Sequence, residues 1–450
     1  MMNSYNPLNG EIVGTVEVTP PGEMSGIVGR ARRAQATWGN LEVGKRAELL
    51  AGAAPRFMER AEELAHLITR EMGKPIRESL GEARGIGAGI ESELEQIAQA
   101  LEPEKVQAGN IHSVIYRDPL GVCAAITPWN FPVAMPHWMV LPALAAGNTV
   151  VFKPSEETPL CGQAYADILG EDLPPDVLIT VHGADEQGRA LVQSEVDLVA
   201  FTGSREVGKE ILRSTATSLR RVILELGGKD PMIVLEDADL VDAARFAAWN
   251  GFRNAGQVCV STERILVQDR VAEEFLELLA GEAEKAVVGD GLEKATIVGP
   301  MVNARQREHV ISQVRDAVQN GARVLVGGGQ DQAPFISPTV LVDVPDTVSI
   351  AKEETFGPVV CVARFGSEEE AVGKANASPF GLGAVVFGGD EKRAERIARQ
   401  LNAGMVGINR ACGGAPGTPW VGARESGYGF HKGRDGHRQF TQSRVVSRAV

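Results

Sequence analysis

Cys259 and Glu225 are the side chains of this 450-residue chain best suited to covalent chemistry. The cysteine follows a Gly-Gln bend in Phe252-Arg253-Asn254-Ala255-Gly256-Gln257-Val258-Cys259-Val260, and the glutamate stands upstream in Leu224-Glu225-Leu226-Gly227-Gly228-Lys229. A thiolate attacks a carbonyl carbon readily, and a nearby carboxylate can then deprotonate the water that releases the acyl group. A lone cysteine is more often a small core residue. The other four, Cys123, Cys161, Cys361 and Cys412, lie in apolar or loop contexts without a partner motif; only Cys259 stands between the end of a helix and the approach to a strand. A third group, Asn130, lies in Thr127-Pro128-Trp129-Asn130-Phe131-Pro132, where prolines fix the loop. Two readings stand equally: its amide donates to a developing oxyanion beside the backbone N–H of Cys259, or it caps a rigid turn.

Three further motifs suit a nucleotide. Lys153 and Glu156, in Phe152-Lys153-Pro154-Ser155-Glu156, are spaced to hold the two hydroxyls of a ribose, although such a pair alone is more often a surface ion pair. Gly203 and Ser204, in Phe201-Thr202-Gly203-Ser204-Arg205, open a helix whose free N–H groups and dipole favour a phosphate; a plain Ser N-cap is the alternative. In Lys352-Glu353-Glu354-Thr355-Phe356-Gly357-Pro358, Glu354 can accept from a ribose and Phe356 can flank a nicotinamide. A charged turn with a core aromatic explains that stretch equally well.

Alternating elements must position these groups. Helical spacing runs through 23–71 and 78–101, and Gly85-Ile86-Gly87-Ala88-Gly89 falls inside the second stretch. No strand precedes those glycines, so they are read as close helix packing and not as a dinucleotide fingerprint. An alternating strand follows at 111–117. Strands are then expected at 121–126, 149–152, 177–180, 197–201 and 221–224, with helices at 133–146, 158–169, 185–194 and 204–216. A second series starts near Asp230, with strands at 231–235, 264–267, 324–326, 358–364, 383–387 and 404–408, and the tail 440–447 reads as an exposed strand. Repeated βα units with apolar strands imply parallel sheets covered on both faces. Ligands of such sheets bind at the carboxyl ends of strands, where each motif above sits.

The chain is too long for a single core. Its 45 basic and 59 acidic residues give a net charge of −14, which speaks against a nucleic-acid or anionic-membrane partner. Five widely spaced cysteines without a CxxC pair suggest reduced thiols in the cytoplasm and no metal site. Neither a signal-peptide pattern nor an apolar run of the ~20 residues that cross a bilayer is seen.

In order, Trp-Asn-Phe-Pro, Lys-Pro-Ser-Glu, Phe-Thr-Gly-Ser, Glu-Leu-Gly-Gly-Lys, Gly-Gln-Val-Cys and Glu-Glu-Thr-Phe-Gly-Pro resemble the NAD(P)-dependent aldehyde dehydrogenase superfamily, over a span from Asn6 to the end. The resemblance implies an α/β fold with a doubly wound parallel-sheet cofactor domain, an α/β catalytic domain and a bridging oligomerisation hairpin. The expected division is 1–108 and 120–229 for NAD binding, 230–429 for catalysis, and 109–119 with 430–450 for bridging. It implies Cys259 as nucleophile, Glu225 as general base and Asn130 as oxyanion amide. Thr127, Trp129, Lys153, Glu156, Gly203, Ser204, Glu354 and Phe356 would contact the cofactor. The substrate would be a small aldehyde, oxidised to the acid through a thiohemiacetal and a thioester. Glu156 would repel a 2′-phosphate, so NAD is expected over NADP, and exposed strands near 111–118 and 440–447 suggest a homodimer or homotetramer.

Some positions depart from the family. Succinate-semialdehyde members commonly carry an arginine where this chain has Met135-Pro136-His137-Trp138-Met139, and Arg434 is matched to a position where relatives place a second glutamate. Arg410 is a candidate for meeting a substrate carboxylate. A coenzyme A-acylating enzyme, which usually lacks the Glu225 base, and a non-catalytic dinucleotide-binding protein of the same fold are the alternatives.

Overall fold

A computed structural model describes residues 1–328 and 332–449. Residues 329–331 of the expected catalytic span and residue 450 of the bridging span lie outside the described residues. Two large sheets organise the chain. The first has six strands in the order Gly427–Tyr428, Arg221–Glu225, Leu198–Thr202, Val122–Ile126, Thr149–Lys153 and Leu178–Thr180, all parallel except the first. Chain order runs outward in both directions from Val122–Ile126, so the sheet is doubly wound, and its switch point lies between that strand and Leu198–Thr202. Alternation across the pleat puts Cys123 and Ala125 in one apolar cluster and Val122, Ala124 and Ile126 in another. Both faces are therefore dry, which is why these strands read as unbroken apolar runs.

The second sheet has seven strands, in the order Arg323–Val326, Thr339–Val342, Val359–Phe365, Thr262–Gln268, Asp230–Val234, Gly383–Phe387 and Met405–Ile408. Only its first pairing is antiparallel. Thr339–Val342 is too short to stand out in the sequence, yet it is buried throughout. A third, antiparallel sheet joins Glu104–Ala108, Ile111–Pro119 and Thr441–Ala449. That sheet extends beyond the 109–119 span expected for bridging, since Glu104–Ala108, largely exposed and without apolar alternation, pairs with Ile111–Pro119. A hairpin of Met2–Tyr5 and Ile12–Val16 was likewise not expected, its strands being only four and five residues long.

Gly85, Gly87 and Gly89 fall within the Ile76–Ala100 helix. A Cβ at Gly87 would come 2.9 Å from the side chain of Met58, whereas at Gly85 and Gly89 it would meet nothing. Close packing thus explains one of the three glycines. No helix among the described residues is long and apolar enough to cross a membrane.

Candidate functional site

The helix Leu240–Phe252 ends in a bend whose next residues are forced out of helical geometry: Asn254, Ala255 and Gly256 have φ of 51°, 54° and 69°. Left-handed backbone at non-glycine residues is strained and persists only where neighbours hold it. Here Asn254 Nδ2 donates to the carbonyls of Asn130 (3.1 Å) and Gln257 (3.2 Å), and Gln257 Nε2 donates back to the Asn254 carbonyl at 3.1 Å. A Cβ on Gly256 would collide with the Gly357 carbonyl, so glycine is required there. The bend delivers Cys259, half-buried, to the end of Arg221–Glu225.

There the Cys259 thiol donates to Glu225 Oε1 at 3.4 Å, and Thr202 Oγ1 donates to Glu225 Oε2 at 3.4 Å. His431 Nε2 lies 3.4 Å from the same Oε2. Burial, and then the Glu225 carboxylate, push the thiol well above its ordinary pKa, so the resting sulfur keeps its proton. Attack on a carbonyl therefore needs an acceptor for that proton, and Glu225 is in hydrogen-bond contact with it. The buried Asn130 amide donates to the Gln257 carbonyl at 3.0 Å, which fixes it against the nucleophile's own loop and leaves one N–H uncommitted to that bond. The structure thus brings Cys259, Glu225 and Asn130 together.

Two cavities meet at this point. One, of about 220 Å³, is lined by Asn130, Cys259, Gly203, Ser204, Glu354 and Phe356 among others. The other, of about 310 Å³, runs past Thr127, Trp129, Lys153, Glu156, Gly203 and Ser204. They share Pro128, Trp129, Thr202, Gly203 and Ser204, so one groove reaches the sulfur from the switch point of the six-stranded sheet. All eight residues expected to contact a cofactor lie along it.

The groove fits a dinucleotide. Thr127 Oγ1 is buried without a hydrogen-bond partner, and it lines the larger cavity. Lys153 Nζ lies 3.8 Å from Glu156 Oε2, too long for a hydrogen bond and open to a bridging hydroxyl pair. Burial lowers the Lys153 pKa, with Glu156 opposing the shift. Ser204 caps the Arg205–Thr215 helix by accepting from the Val207 N–H at 3.4 Å, so the plain-cap reading holds for its side chain while the helix N-terminus still faces the groove. Trp129 meets the edge of Phe356, ring centroids 5.4 Å apart.

Glu354 and Phe356 are held by a buried pair that the sequence did not disclose. Glu263 accepts from the backbone N–H groups of Thr355 and Phe356 (2.9–3.0 Å) and from the Lys229 ammonium, which also donates to Thr355 Oγ1 at 3.0 Å. Glu354 accepts from the Gly228 N–H at 3.0 Å; burial and Glu263 raise its pKa to about 8. Lys229 thus extends the Glu225 motif into support of the 354–356 loop.

Two arginines singled out in the sequence stand outside both cavities. Arg434 is exposed and lies 3.8 Å from Glu104, while His431, buried, takes the place beside Glu225. Arg410 is exposed after Met405–Ile408 and lines neither cavity. Beside the sulfur the chain presents Phe131, Cys412 and Trp420, packed with Cys259 around Val258, Val260, Leu382 and Met405. Next to them Trp138 stacks on His431 with centroids 5.9 Å apart, and Lys432 stands over both indoles. The indoles were visible in the sequence, but nothing there linked residue 138 to residues 420–432.

A family model for the aldehyde dehydrogenase family matches residues 1–446. The chain is 38% identical to betaine aldehyde dehydrogenase 1 of Rhizobium meliloti (strain 1021), over 99% of this chain and 93% of that protein. It is 37% identical to glutarate-semialdehyde dehydrogenase of Pseudomonas putida, over 99% and 94%. An NAD-dependent aldehyde dehydrogenase from Sinorhizobium meliloti superposes with a TM-score of 0.96 at 36% identity, covering 100% of this chain and 91% of that one. An E. coli NADP-dependent enzyme superposes equally well at 35% identity, over 100% and 95%.

Proposed function

The chain belongs to the aldehyde dehydrogenase family, and from that premise we propose that Cys259, Glu225 and Asn130 oxidise a small aldehyde to its carboxylic acid with NAD. The observation that carries the assignment is the 3.4 Å contact from the Cys259 thiol to Glu225 Oε1 at the inner end of the groove. Glu225 takes the thiol proton as sulfur adds to the aldehyde carbon. The Asn130 amide then donates to the oxygen that gains charge. NAD held along the groove by Trp129, Glu354 and Phe356 would supply the hydride acceptor that turns the adduct into the acyl level. Cys259 is left as a thioester, and Glu225, relieved of its first proton, takes one from the water that hydrolyses it. The net change is aldehyde, water and NAD to acid, NADH and protons.

For the cofactor, Thr127, Lys153 and Glu156 suit the adenosine side, Gly203 and Ser204 the pyrophosphate, and Trp129, Glu354 and Phe356 the nicotinamide side. Glu156 at the groove wall supports NAD over NADP. The six-stranded sheet is assigned to cofactor binding, the seven-stranded one to catalysis, and the three-stranded one to bridging. The last exposes Val445 and Val446 on its edge strand Thr441–Ala449, which supports a homodimer or homotetramer; light-scattering mass at micromolar concentration reads that directly, and a monomer would refute it. All five cysteines are free, in keeping with the cytoplasm.

The deciding experiment is stopped-flow NADH absorbance with propanal. Cys259→Ser is expected to abolish turnover. Glu225→Gln is expected to lower kcat by roughly 10²–10⁴-fold. A wild-type chain giving acyl-coenzyme A in place of acid would overturn the hydrolytic reading.

A further inference from the structure

Lys432 is an ammonium in an aromatic site. Its Nζ lies 3.4 Å from the ring centroid of Trp138 and 5.7 Å from that of Trp420, and the two indoles are 5.9 Å apart. No hydrogen bond or ion pair to it is found among the described residues. The backbone holds it in the left-handed region, φ 59°, unusual for a residue with a side chain and costly unless the surroundings impose it. The site adjoins the chemistry on two sides. Trp420 packs in the same apolar cluster as Cys259, and His431, stacked on Trp138, reaches the Glu225 carboxylate.

A pair of indole faces attracts a cation, and this chain supplies its own. A substrate carrying a fixed positive charge would meet a like charge there instead of free π faces. A substrate carrying a negative charge would find a cation with no other anion bound to it. Lys432, Trp138 and Trp420 line neither cavity of the groove; they reach the chemistry through the cluster around Cys259 and through His431. Resting on the aldehyde-oxidising reading above, we propose that the far end of the substrate extends past Cys259 towards them and that Lys432 there selects aldehydes with a carboxylate at that end over aldehydes with a quaternary ammonium.

The charge of Lys432 sets where this selection holds. Burial lowers its pKa to about 8, with Glu93 and Glu225 opposing the shift. The charged or titratable groups around it are Glu93 on the Ile76–Ala100 helix, His137 on Ala134–Ala145, Glu225, His431 on the Phe430–His431 strand, and His437 on Gly433–Arg438. Glu93 is paired with His137 at 3.3 Å. At pH 7 Lys432 is mainly the ammonium, and the charge is lost as pH rises through about 8.

The test compares kcat/KM for succinate semialdehyde with that for betaine aldehyde, by NADH absorbance at pH 7, in wild type, Lys432→Met and Lys432→Arg. The ratio divides out losses of active protein and pH effects on the chemical steps common to both substrates. Wild type is expected to favour the carboxylate, Lys432→Met to lower the ratio by roughly 10- to 100-fold, and Lys432→Arg to stay within a few-fold of wild type. If Lys432→Met does not fold, the wild-type ratio from pH 7 to 9.5 decides, with a fall of at least about ten-fold expected. A wild-type preference for betaine aldehyde, or a ratio indifferent to both the substitution and pH, overturns the proposal. Propanal separates the two readings: no NADH from wild type with any aldehyde would sink the enzymatic reading itself, whereas turnover with an unselective ratio sinks only the role of Lys432.

Discussion

At the scale of single residues the site runs on one carboxylate with three neighbours. Glu225 accepts from the Cys259 thiol and from Thr202, and His431 Nε2 stands 3.4 Å from its second oxygen. Both ring nitrogens of His431 are buried without a hydrogen-bond partner among the described residues. A buried imidazole so placed can relay onward the proton that Glu225 collects from the thiol, freeing Glu225 for the hydrolytic water. His431→Ala is therefore expected to slow thioester hydrolysis about 10- to 100-fold while leaving acylation nearly as fast. Rapid-mixing traces should then show a burst of about one NADH per site before a slow steady rate, and equal slowing of both phases would mean a packing role only. Cys259 and Glu225 were readable because each carries a reactive group inside a distinctive motif. His431 was not, because a histidine two residues after a glycine has no signature until its neighbour across space is known.

At the scale of elements, the cofactor side depends on how the 354–356 loop is fastened to the end of the Thr262–Gln268 strand. Glu263 ties that loop through two backbone N–H groups and the buried Lys229 ammonium. Removing one member of a buried pair leaves the other charged and unmatched, at a cost of about 3–5 kcal/mol. Glu263→Gln is expected to lower the thermal midpoint by several degrees and to weaken NAD binding at least about ten-fold, because Glu354 and Phe356 lose their anchor. Calorimetric titration checks the second effect, and unchanged NAD affinity in a folded variant would remove the loop's assigned role. The apolar strands and the Ala134–Ala145 and Pro159–Gly170 helices were legible from periodicity. The short or exposed strands were not, since four buried residues or a polar edge carry too few side chains to set a period.

For the whole molecule, buried carboxyl groups tie stability to pH. Glu71, Glu78, Asp230 and Glu354 all have pKa values raised by burial, Glu354 to about 8. The folded chain keeps protons there that the unfolded chain has released, so stability falls as pH climbs from the ordinary carboxylate range through 8. The opposing groups titrate elsewhere: His182 and His437 are lowered to about 4, which matters below 6.5, and Lys432 is lowered to about 8, which matters above it. Between pH 6.5 and 8 the urea midpoint of the ligand-free protein is expected to drop, with Glu354 contributing about 1.4 kcal/mol per pH unit. Glu354→Gln, which resembles the protonated carboxyl, should flatten that slope; a midpoint rising over the interval would contradict it.

The amino-acid order alone pointed to an α/β plan of parallel sheets, to the Cys259 and Glu225 pair and to the line of candidate cofactor motifs, because each rests on short-range patterns: apolar periodicity, turns that follow strands, and reactive groups within a few residues of glycine; the doubly wound half came from the family resemblance that those motifs carry. Tertiary structure decided what stands around them. His431 beside Glu225, Glu263 beneath the 354–356 loop, and Lys432 between Trp138 and Trp420 join segments tens to hundreds of residues apart. Charge, burial and selectivity at the site depend on distances through space, and those exist only once the chain has folded.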